Sequence, residues 1–222
     1  MPGKSGRLGS HFWSQDKGPY PLLFLLVLTL FVLGPLLSAR MIAPLILEIG
    51  FALILISGAL TVAKRTSIRL FAVVLALSSI ASHWLEVFGG KTTLTVESLL
   101  SVGMFISFAL LIGRNFVGQE RAPAHRIAAA VTIYLLLGLI WTRLYQLVES
   151  VSPGSFHLPA GEEPTAAAFS YFSFVTLATL GYGDITAVSL IARDLAVLEA
   201  VMGQLYLVIL ISWLVSQARP GK

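Results

Sequence analysis

Six apolar stretches of about bilayer length dominate this 222-residue chain. A helix needs roughly 20 apolar residues to cross the hydrocarbon core of a membrane. Hydrophobic residues make up 56% of the chain and charged residues only 12%, whereas about a quarter of the residues in soluble domains are charged. These proportions predict an all-α membrane protein with six transmembrane helices. The predicted spans cover residues 21–39, 41–63, 68–88, 92–112, 127–148 and 189–215.

Positive charge lies in short clusters between the apolar stretches. Most of the 15 Lys and Arg residues fall in the N-terminal tail, between spans two and three, between spans four and five, and at the C-terminus. The positive-inside rule places these segments in the cytoplasm, so we expect a multi-pass cell-membrane protein with both termini cytoplasmic. Short clusters form no continuous basic face, which argues against a nucleic-acid partner and leaves membrane lipids as expected partners.

The only long connection between predicted spans covers residues 149–188. Its middle part, AAAFSYFSFVTLA at 166–178, is helical by composition but too short to cross a bilayer, and Pro164-Thr165 is typical of a helix start. A glycine-rich stretch with Gly181 and Gly183 follows it. Irregular backbone at membrane depth is tolerated only where it is buried in protein or lines a water-filled path. The pattern predicts a re-entrant loop.

Residues 176–184, TLATLGYGD, resemble the Thr-x-x-Thr-Val-Gly-Tyr-Gly-Asp sequence of potassium channels, with Leu180 in place of the usual valine. The order of outer helix, pore helix, filter and inner helix also resembles that family. In a selectivity filter, backbone carbonyls replace the hydration water of K⁺, and glycines permit the backbone that aims them. The resemblance implies that the ion-binding residues are Thr179, Leu180, Gly181, Tyr182 and Gly183. One filter strand per chain implies a homotetramer, with K⁺ as the permeant ion and no cofactor.

The residues around the filter have expected supporting roles. Thr176 and Asp184 flank it, and Tyr171 and Phe172 occupy the positions of the family's aromatic cuff. We expect the side chains of Leu180 and Tyr182 to point away from the axis and to pack on the pore helix.

The residues expected to support the filter from behind differ from those of some potassium channels. Val175 stands where some members carry a glutamate, which leaves the support of Asp184 open. Glu199 is the candidate to compensate. We expect it either to bond the back of the pore helix, at Ser170, Tyr171 or Ser173, or to pair with a neighbouring helix.

The inner helix carries a glycine and a set of positions that match the family's cavity. Gly203 is a candidate gating hinge, and close helix packing is the alternative. The expected cavity-lining residues recur at helical spacing: Gln204, Leu207 and Ile211.

The first four spans lack the charges of a voltage sensor, which needs regularly spaced basic residues along its fourth helix. The fourth span here has no Lys or Arg and one acid, Glu97. Glu97, Glu48, Glu86 and His83 fall near the predicted outer boundary. A cluster of such groups would bind an external cation or sense pH, and snorkelling to the headgroups or pairing with basic residues is the alternative.

These observations predict a potassium-selective channel that conducts passively and has no charged gating helix. A non-selective cation channel and a regulatory subunit with the same fold are alternatives. An enzyme is not expected, because the sequence has no cysteine, no metal-ligand spacing and no nucleophile motif. The predicted parts are an N-terminal tail at 1–20, a four-helix domain resembling a voltage sensor at 21–113, a linker at 114–126, a pore domain at 127–216 and a C-terminal tail at 217–222.

Overall fold

The computed structural model of the chain describes residues 20–28, 92–116 and 123–218. The chain divides into two compact units, Met1–Val74 with Leu111–Thr132 and Leu75–Leu110 with Ile133–Lys222. Most of the first predicted span and all of the second and third lie outside the described residues. The count of six spans therefore stays a prediction, as do the predicted domain boundaries.

Five helices and two short strands form the described part of the chain. The two-residue strands are an addition to the predicted all-α architecture. In chain order the elements are α1 Tyr20–Val27, α2 Thr92–Phe116, α3 Pro123–Val151, β1 Phe156–His157, α4 Ala166–Leu177, β2 Thr186–Ala187 and α5 Leu190–Ala218.

The first unit contributes α1, the end of α2 and the start of α3 to the described residues. Leu26, Ile112 and Ala129 are fully buried there. The Thr132 hydroxyl, also buried, donates to the Ala128 carbonyl of its own helix at 2.7 Å. This bond satisfies a hydroxyl that would otherwise be costly to bury.

Two described helices are long and apolar enough to cross a membrane, Ala124–Val151 and Leu190–Ser216. They coincide with the fifth and sixth predicted spans. The fourth predicted span lies within α2, whose apolar part covers Ser98–Arg114. The helical prediction is therefore confirmed for three of the spans, and length and composition suit two of them to a bilayer.

Aromatic rings form the core of the second unit between α3, α4 and the β1 strand. The ring of Phe156 in β1 lies edge-on to Tyr145 of α3 at 5.3 Å, and to Phe169 and Phe172 of α4 at 5.0 and 5.5 Å. Edge-to-face contacts of this kind add to the large area that buried aromatic rings remove from solvent. The cluster fixes α4 against α3 and includes Leu177, the last residue of α4, which the glycine-rich stretch follows.

A short antiparallel ladder joins the loop after α3 to the segment that follows the glycine-rich stretch. Phe156 pairs with Ala187, and His157 pairs with Thr186. The carboxylate of Glu149 accepts hydrogen bonds from the amides of Gly154 at 2.7 Å and Phe156 at 3.2 Å, closing the turn after α3. The glycine-rich stretch is thus held at both ends, by α4 before it and by this ladder after it.

Candidate functional site

The pore helix predicted over 166–178 is observed as α4, Ala166–Leu177. The helix begins directly after the Pro164-Thr165 pair that marks its predicted start, with Thr165 as its N-cap and Pro164 before the first turn. The Thr165 hydroxyl accepts a hydrogen bond from the Ala168 amide at 3.2 Å, which satisfies one of the free amides of the first turn. The helix spans 12 residues, too few to cross a bilayer.

The C-terminus of α4 is closed by a Schellman motif that leads directly into the glycine-rich stretch. The Leu180 amide donates to the Val175 carbonyl and the Thr179 amide donates to the Thr176 carbonyl, both at 2.9 Å. This is the pair of bonds that defines the motif. The Leu177 carbonyl accepts from the Tyr134 hydroxyl at 3.3 Å. The last carbonyls of the helix are therefore satisfied, and the direction of the following backbone is fixed.

Backbone conformation alternates along residues 179–183, here called the filter segment. Thr179, Gly181 and Gly183 have φ angles of 57°, 58° and 82°, and the residues between them do not have positive φ. A uniformly extended strand points successive carbonyls to opposite sides, whereas alternating the sign of φ turns them toward one side. The three positive φ values thus distinguish residues 179–183 from a regular extended strand.

Thr179 is the one residue of the filter segment whose conformation the sequence does not predict. It is the only non-glycine residue with positive φ among the described residues. A left-handed conformation costs an L-residue about 1–2 kcal/mol, and it is especially rare for a β-branched one. The strain falls at the C′ position of the Schellman motif, where glycine is usual. Strained non-glycine residues concentrate at functional sites, so the φ angle marks Thr179 as a candidate functional position.

The side chains of the filter segment are uncovered within one chain. Leu180 is 57% exposed and Tyr182 is 67% exposed. They differ from the expectation that both side chains pack on the pore helix. The reason is that the part of α4 beside the filter segment is itself uncovered, with Tyr171 41% exposed, so one chain builds no packed surface there.

Asp184 follows the filter segment and is held by α4 and by its own backbone. The Tyr171 hydroxyl donates to its Oδ2 at 2.6 Å, and the Ile185 amide donates to its Oδ1 at 3.0 Å. The hydrogen bond from Tyr171 lowers the pKa of the Asp184 carboxyl, and the same bond raises the pKa of Tyr171 to about 12. The support of Asp184 therefore comes from Tyr171, and not from Glu199 as the sequence suggested.

Phe172, the other aromatic residue of the expected cuff, lies on a different face of α4. It is buried and packs edge-on to Tyr145 at 5.0 Å. Tyr171 points to the filter segment while Phe172 points to the core. Tyr171 thus holds Asp184 next to the filter segment, and Phe172 anchors α4 in the core.

Glu199 is fully buried behind α4. Ser173, one of the three expected partners, lies with its hydroxyl oxygen 2.6 Å from Glu199 Oε1. The sequence did not predict the second partner, Tyr145 of α3, whose hydroxyl donates to Glu199 Oε2. A polar aromatic residue in an apolar span was the signal, but nothing in the periodicity of α3 indicates which helix it faces. Glu199 therefore joins α5 to both α4 and α3.

Gly203 packs against the last residue of α4. A Cβ built at Gly203 would overlap the carbonyl oxygen of Leu177 and lie 3.0 Å from its Cδ1. This contact is the close packing that the sequence allowed as one of two roles. The role of hinge stays a prediction.

The expected cavity-lining residues share the uncovered part of α5. Leu207 is 40% exposed and Ile211 is 59% exposed, and Gln204 is exposed as well. Thr176, the remaining residue of the expected filter support, is half-buried near the end of α4. Their predicted roles in ion conduction stay predictions.

The expected regulatory residues fall mostly outside the structure. Glu48, His83 and Glu86 lie outside the described residues, and Glu97 lies on α2 with its side chain outside them. Within the described part, no group of three or more His, Asp or Glu side chains is placed to hold a metal ion.

Residues 127–219 match the family model described as ion channel. The match includes most of α3 and all of α4, the filter segment and α5, and it covers less than half of the chain. No curated protein and no solved structure matches the chain. The ion-channel prediction is confirmed at this level. Together with the two long apolar helices, the match supports a membrane protein with an ion-channel domain rather than an enzyme.

Proposed function

We propose that the chain forms a homotetrameric, potassium-selective channel that conducts K⁺ passively down its electrochemical gradient. The observation that carries this proposal is the alternating sign of φ along the filter segment, with a strained threonine at its start. Carbonyl oxygens arranged in rings replace the hydration shell of K⁺ without fixed charge. In this arrangement the carbonyls of residues 179–182 and the Thr179 hydroxyl are the K⁺ ligands.

The exposure of the filter segment supports several copies around one axis. One chain supplies one row of carbonyls, and a ring needs four such rows. The side chains of Leu180 and Tyr182 remain exposed in a single chain, so neighbouring copies are the surface that would cover them. A homotetramer satisfies both requirements.

The amide side chain of Gln204 on α5 supports a water-filled path below the filter segment. Gln204 is exposed in the middle of the helix, between exposed apolar side chains such as Met202 and Leu205. A polar group that faces lipid is costly, because the hydrocarbon offers it no hydrogen-bond partner. An aqueous cavity lined by Gln204, Leu207 and Ile211 gives the amide water and leaves the lower part apolar, where a constriction can close by dewetting.

Voltage gating by a charged helix is not part of this proposal. The sequence of α2 carries a single basic residue, Arg114, in its last turn. Moving one charge across 100 mV yields about 2.3 kcal/mol, so steep voltage dependence needs several such charges. The current should therefore depend on voltage only through the driving force and any gate elsewhere.

The test is ion flux into liposomes that contain the purified full-length protein. We expect Ba²⁺-sensitive K⁺ flux that exceeds Na⁺ flux by at least about a hundredfold, as carbonyl coordination of K⁺ implies. Equal K⁺ and Na⁺ fluxes would favour a non-selective cation channel. Absence of both fluxes, in protein shown to be folded and tetrameric, would favour a regulatory subunit.

A further inference from the structure

Two hydroxyl groups, one carboxyl group and one carbonyl group meet behind α4. They make more short oxygen–oxygen contacts than their hydroxyl protons can bridge. The Ser173 oxygen lies 2.6 Å from Glu199 Oε1 and 2.8 Å from the Gly138 carbonyl oxygen. The Tyr145 hydroxyl bonds Glu199 Oε2. These three contacts are buried, and the hydroxyls of Ser173 and Tyr145 supply only two protons between them. The Thr142 hydroxyl also donates to the Gly138 carbonyl, at 2.8 Å, which adds one contact and one proton and leaves the shortfall of one proton unchanged.

The position of the third proton follows from the chemistry of the groups. Two oxygens at hydrogen-bond distance repel each other unless a proton lies between them. The Gly138 carbonyl has no proton to give, so the Ser173 hydrogen must lie on the contact with Gly138. The Tyr145 hydrogen lies on the contact with Glu199 Oε2. The remaining contact, between Ser173 Oγ and Glu199 Oε1, can then be bridged only by a proton on Glu199.

We propose that Glu199 is a neutral carboxylic acid that positions the pore helix, donating to Ser173 and accepting from Tyr145. It thereby ties α5 and α3 to α4 directly behind the filter segment. This inference rests on the proposed function in one respect only: the position of α4 matters because the filter segment begins two residues after α4 ends. The proton on Glu199 is argued from the hydrogen-bond geometry alone.

A second contact between α5 and α4 lies one turn further along both helices. Glu199 and Gly203 are four residues apart on α5, and Ser173 and Leu177 are four residues apart on α4. Residues at this spacing lie on one face of a helix. Glu199 meets Ser173, and Gly203 packs on the Leu177 backbone. Two contacts fix both the rotation and the register of α4, so the filter segment starts from a defined place.

Among residues 123–218, the titratable groups shown to act on Glu199 from the packed helices are phenols. Tyr145 bonds it directly, and Tyr134, also on α3, interacts with it electrostatically. Ser173, its contact on α4, does not titrate. Tyr134 also donates to the Leu177 carbonyl at 3.3 Å, so it braces the second contact from the α3 side. Phenols and hydroxyls satisfy a neutral acid, and they offer a buried carboxylate no full positive charge.

Infrared spectroscopy of the full-length protein in lipid tests the proton. A protonated carboxyl has a carbonyl stretch that a carboxylate lacks. We expect such a band in wild type at neutral pH, lost in Glu199→Gln and retained in Asp194→Asn. Asp194 is the matched control, because it lies exposed on the same helix. A wild-type band that survives in Glu199→Gln, or no band at all, would overturn the proposal. This measurement does not require ion flux, so it stands even if the proposed function fails.

Ion flux tests the positioning role. Gln reproduces the neutral acid, since its amide group donates and its carbonyl accepts. We expect Glu199→Gln to keep K⁺ flux and K⁺/Na⁺ selectivity within about twofold of wild type. Glu199→Ala should lose about tenfold in flux or selectivity, because it removes the link between α5 and α4 and leaves the buried Tyr145 hydroxyl without its acceptor. Glu199→Ala with wild-type flux and selectivity would overturn the positioning role, and so would a Gln variant as impaired as the Ala variant.

Discussion

The two sides of α4 differ in how complete they are within one chain. Behind the helix, Ser173 and Leu177 meet Glu199 and Gly203 of α5 in a buried interface. In front, residues 178–184 are exposed, although Thr179 has a strained backbone and the stretch is held at both ends. The back of α4 is therefore fully packed within one chain, whereas the residues in front of it form an ordered surface that a single chain leaves uncovered.

This difference indicates which part of the site each chain builds alone. A strained exposed backbone costs free energy that the chain recovers elsewhere. Here the Schellman motif, the Tyr171–Asp184 bond and the β1–β2 ladder hold the strained segment from both ends. We infer that the back of α4 determines folding of the chain, and that the front determines conduction once copies assemble. Paired variants at the front and the back separate these two roles.

The largest expected effect is at the front. Gly183 has φ 82° with open space beside it, and Gly161 in the preceding loop has φ 88°, also with open space. An alanine at either position adopts a left-handed conformation at a cost of about 1–2 kcal/mol. Gly183→Ala should abolish K⁺ flux, by at least about a hundredfold, because four copies distort one path. Gly161→Ala should conduct normally.

The two variants introduce similar backbone strain, one inside the filter segment and one outside it. Flux into liposomes and thermal unfolding are measured on both variants. Similar losses of stability with a large difference in flux would support the division between front and back. Normal K⁺ flux in Gly183→Ala would contradict the role of the filter segment.

The next largest effect is expected on folding, at the back. A Cβ at Gly203 overlaps the Leu177 backbone, whereas a Cβ at Gly138 meets only the ring end of Phe174, at 2.6 Å. A ring can rotate aside and a backbone carbonyl cannot. Gly203→Ala should cost about 1–3 kcal/mol of unfolding free energy, and Gly138→Ala less. Gly103→Ala, with nothing within 4 Å, is the control. Equal unfolding midpoints for all three variants would disprove the close contact.

A matched removal of two phenol hydroxyls compares the two sides directly. Tyr145 donates to buried Glu199, and Tyr171 donates to exposed Asp184. Tyr145→Phe should cost about 1–3 kcal/mol of stability, because it leaves a buried carboxyl oxygen without its donor. Tyr171→Phe should cost less stability but should change K⁺ flux, since Asp184 adjoins the filter segment. Unfolding and flux assays on both variants give the comparison, and a larger stability loss for Tyr171→Phe would reverse it.

The smallest expected effect is the pH dependence of Asp184. The hydrogen bond from Tyr171 lowers the pKa of this carboxyl below its ordinary value of 3.8. A lowered folded-state pKa contributes stability that is present above the unfolded value and lost as pH falls through the folded one. The stability difference between wild type and Asp184→Asn should stay constant from about pH 8 to about pH 5 and close only below 3.8. A difference that closes near pH 6 would mean that the pKa is raised instead.

The sequence predicts the elements of the site better than their contacts. Helix composition and the Pro164-Thr165 start locate α4 to within one residue, because capping and length are local properties. The glycines of the filter segment indicate an unusual backbone for the same reason. Ser173 could be predicted as a partner of Glu199, because the order of helices places the first half of the last span beside the pore helix.

The contacts that sequence reasoning missed all join distant segments or oppose local preference. Tyr145 reaches Glu199 across 54 residues, and no periodicity encodes that pairing. The strands β1 and β2 have two residues each, too few for an alternating pattern. Thr179 takes positive φ against its own preference, because it occupies the C′ position of the Schellman motif.

A density map of the full-length protein, purified in K⁺ and determined without imposed symmetry, tests the central claim most directly. The account predicts four chains with residues 179–183 around a common axis, their carbonyls directed inward and ion density between them. It also predicts the side chains of Leu180 and Tyr182 covered by neighbouring copies. A single chain, or an assembly with the filter segment away from its axis, would contradict it.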